Sequence, residues 1–128
     1  MRPGPHGFHV HTYGIVNNCE DTGKHFDPLN TDHGFFGEPG RHAGALGNIA
    51  AGTTGLARFD RTHSALNITD IGSTFYIIGR AVVLHLKRDD LGRGQEGSDT
   101  LVNGNSGMKI ACGNIGFTGP PDADEQNP

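Results

Sequence analysis

Apolar and polar residues first alternate in Gly7-Phe8-His9-Val10-His11, which places Phe8 and Val10 on one face of an extended chain and the histidines on the other. That period predicts a strand from His6 to His11, ending at Tyr13-Gly14. No strand or helix period is sustained from Gly14 to about Asn48. Asn17-Asn18, Asp27-Pro28, His33-Gly34 and Glu38-Pro39-Gly40 punctuate that stretch, which reads as one long loop. Two short strands are expected next, Leu56 to Asp60 and Leu66 to Thr69. The strongest alternation runs from Phe75 to Leu86: Ile78, Val82, Leu84 and Leu86 share one face, and Ile77, Ala81, Val83 and His85 the other. This is the expected central strand. A polar, Gly-rich stretch over 87–107 precedes a last strand from Met108 to about Ile115. Loops longer than about 12 to 15 residues are uncommon in a compact domain unless they carry function or are tied down from within, so both long loops need an anchor.

Composition narrows the architecture. The 128 residues suffice for one domain, and 21 Gly with 7 Pro exclude a helical bundle. Val, Ile, Leu and Phe make up only about 22% of the chain, so the core is expected to be small. A formal charge of -4 gives no basic footprint for nucleic acid and no polybasic membrane patch. No stretch approaches the roughly 18 apolar residues of a membrane span, and Met1-Arg2-Pro3-Gly4-Pro5 lacks the apolar segment of a signal peptide. The expected protein is soluble, cytoplasmic or secreted, and Asn67-Ile68-Thr69 is a glycosylation sequon that would fit secretion. Residues 1–117 are expected to form the domain and 118–128 a disordered acidic, Pro-rich tail.

The chemistry lies in an excess of histidine, 8 residues beside 2 Cys and no Trp. His9 and His11 share a strand face and can turn toward one metal, although about 0.5 such pairs are expected by chance at this histidine frequency. His25, His33 and His42 are spaced through the first long loop, where a bound ion would supply the missing anchor. His85 projects from the central strand beside Val83 and Ala81; alone it reads as a hydrogen-bonded core residue. Six histidines in the order strand pair, loop triplet, strand single favour all-nitrogen ligation of copper or zinc. His6 and His63 are assigned to the surface. Cys19 and Cys112 either bridge, closing a loop of about 93 residues, or remain reduced; no CxxC spacing supports a thiolate site.

The order of motifs resembles the copper-zinc superoxide dismutases. Gly7-Phe8-His9-Val10-His11, Cys19, His25-Phe26-Asp27-Pro28-Leu29, His33-Gly34, Arg41-His42-Ala43-Gly44, Leu46-Gly47-Asn48, Ile78-Gly79-Arg80, His85, Asp89-Asp90-Leu91-Gly92, Gly104-Asn105-Ser106-Gly107 and Ala111-Cys112-Gly113 carry the resemblance over about residues 4 to 117. It implies an all-β Greek-key sandwich or barrel with two long functional loops. It further implies copper on His9, His11, His25 and His85, zinc on His25, His33 and His42, and His25 as the bridge and proton carrier. Asp89 would orient one histidine of each set, Cys19 and Cys112 would form a disulfide, and superoxide would be disproportionated to oxygen and peroxide.

Three departures from the family pattern modify these expectations. Ala45 stands where the zinc site has a carboxylate, so zinc occupancy is expected to be weakened or variable. Lys109 replaces the arginine that docks the anion beside copper; a mobile point charge retains attraction but orients less well, so reduced activity is expected. About three strands that precede Gly7-Phe8-His9 in the family are lacking, so the barrel is expected to be incomplete: either the chain is a fragment or incomplete gene model, or it is a short form that completes its sheet by pairing with another copy, as a homodimer or other self-association. The alternatives to a dismutase are a metal-binding or transport protein with little turnover and a copper-chaperone-like domain; the latter normally accompanies a CxxC module.

Overall fold

The computed structural model describes residues 1–35 and 38–120. Four antiparallel strands, β1 Gly4–His11, β2 Ala45–Ala51, β3 Ala81–His85 and β4 Lys109–Asn114, form one sheet in the order β2-β1-β3-β4. The sheet does not close: β2 and β4 lie at its edges. The architecture is all-β, with one short helical turn, Thr100–Asn103, and a 3-10 turn, Cys19–Thr22.

Alternation accounts for the centre of the sheet. In β3, Ala81, Val83 and His85 are buried while Val82 and Leu84 are half-buried, and β1 turns His9 and His11 to the same side as Val83 and His85. The opposite side carries Val10, which packs with Phe26, Leu46 and Ile77; Phe8, Phe59, Leu66, Val82 and Ile115 add partly buried apolar surface. One sheet face is therefore apolar packing and the other is the histidine face. This is a small core, as the low content of large aliphatic residues requires.

Two irregularities interrupt the sheet. Between Gly7↔Asn48 and His9↔Ala45, β2 carries one residue more than β1, a bulge at which Gly47 takes a left-handed φ of 84°. Between Leu84↔Ala111 and His85↔Lys109, β4 likewise carries an extra residue, so Lys109 stands opposite His85. Bulges of this kind re-aim side chains, and both flank the histidine face.

Several expected elements differ from those observed. The loop over residues 14–48 ends early, because β2 begins at Ala45; its Gly, Ala and Asn content and its bulge hide any alternation. Leu56 to Asp60 and Leu66 to Thr69 are not strands and contribute only the isolated bridges Ala51↔Ala57 and Asn67↔Tyr76. The central strand is shorter than Phe75 to Leu86, since turns closed by Tyr76 N–H to Ser73 and Arg80 N–H to Ile77, with Gly79 at φ 91°, occupy its first half. Most of the expected tail, residues 121–128, lies outside the described residues.

The first loop is anchored as its length requires. Asp21 Oδ2 accepts from the N–H groups of Val16, Asn17 and Asn18, and Asn18 Oδ1 caps the turn at Glu20 N. That turn presents Cys19 to β4, and Cys19–Cys112 is a disulfide across 93 positions. The second loop is gathered by Asp90, which accepts from Thr100 Oγ1 at 2.7 Å, Asn105 Nδ2 at 2.8 Å and Gly92 N at 3.0 Å. Replacing both cysteines by serine is expected to lower unfolding free energy by about 4 kcal/mol in the chain-entropy limit, measured by urea denaturation of the oxidised parent and the variant.

Candidate metal centre

Three backbone segments of different origin converge at Val10. Phe26 N–H donates to Val10 O at 2.8 Å, Val10 N–H to Gly44 O at 2.9 Å, and Gly44 N–H to Phe26 O at 2.9 Å. Gly44 is required there, because a Cβ would be driven into the Val10 carbonyl. This weave sets His9 and His11, His25, and His42 around one volume, to which β3 adds His85. His9, His11, His25, His33 and His85 are all buried, with His9 and His33 fully enclosed.

The sites follow from the outward-facing nitrogen of each ring. His11 Nδ1 donates to Gly23 O at 2.8 Å and His85 Nδ1 to Gly107 O at 2.9 Å, since a carbonyl can only accept. His9 Nε2 and His33 Nε2 donate to the two oxygens of Asp89 at 2.6 and 2.7 Å, and His42 Nε2 donates to Thr31 O at 2.9 Å. In the neutral form each of these five rings is thereby left with a bare lone pair on its other nitrogen, turned away from its hydrogen-bond acceptor. His11 Nε2 and His85 Nε2 are 3.2 Å apart, and His42 Nδ1 and His25 Nδ1 are 3.4 Å apart. Among the described residues, His9 Nδ1, His25 Nε2 and His33 Nδ1 are buried with no hydrogen-bond partner. Facing lone pairs and orphaned buried nitrogens are unfavourable in a dry interior unless a cation lies between them.

The imidazole nitrogens form two groups, His9, His11, His25 and His85 in one and His25, His33 and His42 in the other, beside the hydrogen-bonded cluster of His9, His33 and Asp89. His25 belongs to both, and neither of its nitrogens has a carbonyl or carboxylate partner. Asp89 lies behind both groups, with Asn48 clamping its backbone through Asp89 N–H to Asn48 Oδ1 at 2.7 Å and Asn48 Nδ2 to Asp89 O at 2.9 Å. Gly104, at φ 68°, lets the Asp89 carboxylate and the His33 ring approach where any side chain would collide with both. An all-imidazole donor set with second partners on the outer nitrogens fits copper or zinc.

Electrostatics agree with that fit. Burial is the largest influence on His9 and lowers its pKa from 6.5 to about 4, against the opposing pull of Asp89. Burial lowers His11 to about 3 despite its bond to Gly23. Burial also lowers His25, His42 and His85, and for His25 the neighbouring histidines add to it. Burial pushes Asp89 upward, yet the hydrogen bonds from His33 and His9 outweigh it and hold the carboxyl well below the usual carboxylate range. The rings are thus kept neutral, the state in which imidazole binds a metal.

The structure brings together every histidine expected to act as a ligand: His9, His11, His25, His33, His42 and His85, with Asp89 behind them. Lys109 also lies at the site. Its Nζ donates to Gly23 O at 2.8 Å, the same carbonyl that holds His11, and lies 4.0 Å from Glu20. Ala45 is buried one turn beyond His42, with its N–H donating to His42 O at 3.1 Å. His6 differs from expectation: it is buried, and its ring bridges His85 O at 3.0 Å and Arg2 O at 2.8 Å. Its parity with Phe8 and Val10 is the signal that places it on the inner side of β1. Asn48 and the Gly23 and Gly107 carbonyls carry no sequence signal of their roles beyond the motifs that contain them.

Comparison with known proteins accords with this geometry. The sequence profile of the copper/zinc superoxide dismutases matches residues 1–115, and the chain belongs to that family. A crystal structure of the clock protein EA4 is similar in fold, with a TM-score of 0.85 and 39% identity over 92% of this chain and 73% of that one. Among the described residues no helix is long and apolar enough to cross a membrane.

The metal-free protein should lose stability on acidification. The unfolded chain binds protons at histidine near pH 6.5 while folded His9 does not until about 4, so stability is full above 6.5 and falls as pH drops toward 4. The depressed Asp89 carboxyl acts in the same direction at lower pH. Urea midpoints of chelator-treated protein across this range check it, and a flat profile would contradict the buried neutral rings.

Proposed function

We propose that this chain is a superoxide dismutase that works at copper held by His9, His11, His25 and His85, with zinc on His25, His33 and His42. The bare nitrogens of His9, His11, His25 and His85, converging in a dry interior, carry this reading. Copper when bound supplies a one-electron couple, so that one superoxide is oxidised to oxygen and the next is reduced to peroxide. The protein's own residues do the rest. Lys109 attracts the anion from its place opposite His85. His25 holds and releases a proton at Nε2, and its lack of an outer partner leaves that nitrogen free to do so. Asp89 keeps His9 and His33 in the tautomers that face inward.

A second reading, metal binding without fast turnover, is favoured by the ties on Lys109. Its ammonium is bonded to Gly23 O and lies close to Glu20, which weakens the field it offers an incoming anion. The two readings part in a superoxide decay assay of copper-loaded protein. A dismutase should lose its activity in His85→Ala, with copper uptake measured beside it; equal decay with both proteins eliminates the enzyme. The rate should also fall as salt is added, and Lys109→Gln should flatten that dependence, because the long-range pull of a cation on an anion still in solvent is screened. A salt-insensitive parent would remove Lys109 from the mechanism.

A further inference from the structure

Among the described residues the second group of imidazoles has no fourth side-chain ligand, and a cavity is lined by two of its members, His25 and His42. The inference rests on the second-metal reading of His25, His33 and His42. Among the described residues, no further histidine, cysteine or carboxylate joins these three. His33 Nδ1 is fully buried and unpartnered, so the group is poised for a ligand and not satisfied within the protein. The nearby carboxylate of Asp27 does not close the site. Both of its oxygens accept from Thr31 N, at 3.0 and 2.8 Å, and Oδ1 also accepts from Thr31 Oγ1 at 2.8 Å. Asp27 Oδ2 reaches His42 only at Nε2, 3.4 Å away, on the side of the ring opposite Nδ1. Ala45, next along the chain after the His42 turn, offers a methyl group.

A cavity of about 560 Å³ opens on His25 and His42, and Lys24, Arg80, Asp27 and Asp32 are among its walls. His9, His11, His85 and His33 do not line it, so the ligand side chains it meets are the shared His25 and the second group's His42. A zinc-type ion with three protein ligands keeps an exchangeable position. With His25 protonated at Nε2, the three ligands are neutral and cancel none of a dication's charge, which favours an anion at the remaining position. We propose that the second centre is an open three-imidazole site whose fourth position takes a small monodentate anion from solvent through this cavity, with Lys24 at its entrance.

The test uses protein carrying cuprous copper, which has no d–d absorption, in the first group and cobalt(II) in the second, titrated with azide. The expected result is a saturable change in the cobalt visible bands. In Ala45→Asp that response should be lost while cobalt is still taken up, and Ala45→Asn serves as the neutral companion should the added charge impair folding. Lys24→Gln should raise the azide concentration needed for half the change. Cobalt that binds but ignores azide overturns the open site, as does an Ala45→Asp protein that responds like the parent. A response appearing only in Asp32→Asn overturns it too, because the chain's own carboxylate would then fill the position. Unchanged azide affinity in Lys24→Gln overturns the entrance. Failure of cobalt to bind at all is a different outcome, and it removes the second-metal reading itself.

Discussion

The Asp89 carboxylate, shared between His9 and His33 in full burial, is the interaction on which the centre depends. A lone buried carboxylate is costly, and it is tolerated here because two ring N–H groups and the Leu91 N–H donate to it, while Asn48 clamps the Asp89 backbone on both its N–H and its carbonyl. By fixing which nitrogen of each ring carries hydrogen, it turns one histidine of each group inward. The surrounding backbone is shaped for it: Gly104 is left-handed and bare so that the carboxylate and the His33 ring can lie against the second loop.

The same principle governs the rest of the site. Five outer nitrogens are assigned by three backbone carbonyls and one carboxylate, and the sixth ring, His25, is left unassigned between two groups. The shared histidine is thereby distinguished from the other five by hydrogen bonding alone. The thin apolar core is sufficient because long loops are fastened by polar means: Asp21 and the disulfide for the first, Asp90 for the second.

Much of this was legible in the order of residues, and the reasons for the remainder are specific. Alternation located β1, where Phe8 and Val10 oppose His9 and His11, and β3, where Val82 and Leu84 oppose Ala81, Val83 and His85, while β4 was placed as the last stretch after a polar, Gly-rich run. It failed for β2, where a bulged Ala-Leu-Gly-Asn stretch has no clean period, and for 56–60 and 66–69, where scattered aliphatic residues pack against the core without pairing along a strand. The six clustered histidines were legible because the family motifs preserve their order. Their tautomers were not, because these are set by carbonyls of Gly23, Gly107 and Thr31, and any residue type has a carbonyl. His6 was misplaced at the surface although it shares its parity with Phe8 and Val10, and its burial is set by the His85 and Arg2 carbonyls that flank its ring.

The Gly23 carbonyl receives both the His11 ring and the Lys109 ammonium. It follows directly after the 3-10 turn that begins at Cys19, and Lys109 belongs to the same strand as Cys112. A thiol reductant that opened the bridge would therefore slacken both sides of one joint, disturbing a histidine of the first group and the neighbouring cation together. The cross-link thus bears on the shape of the centre as well as holding the chain together.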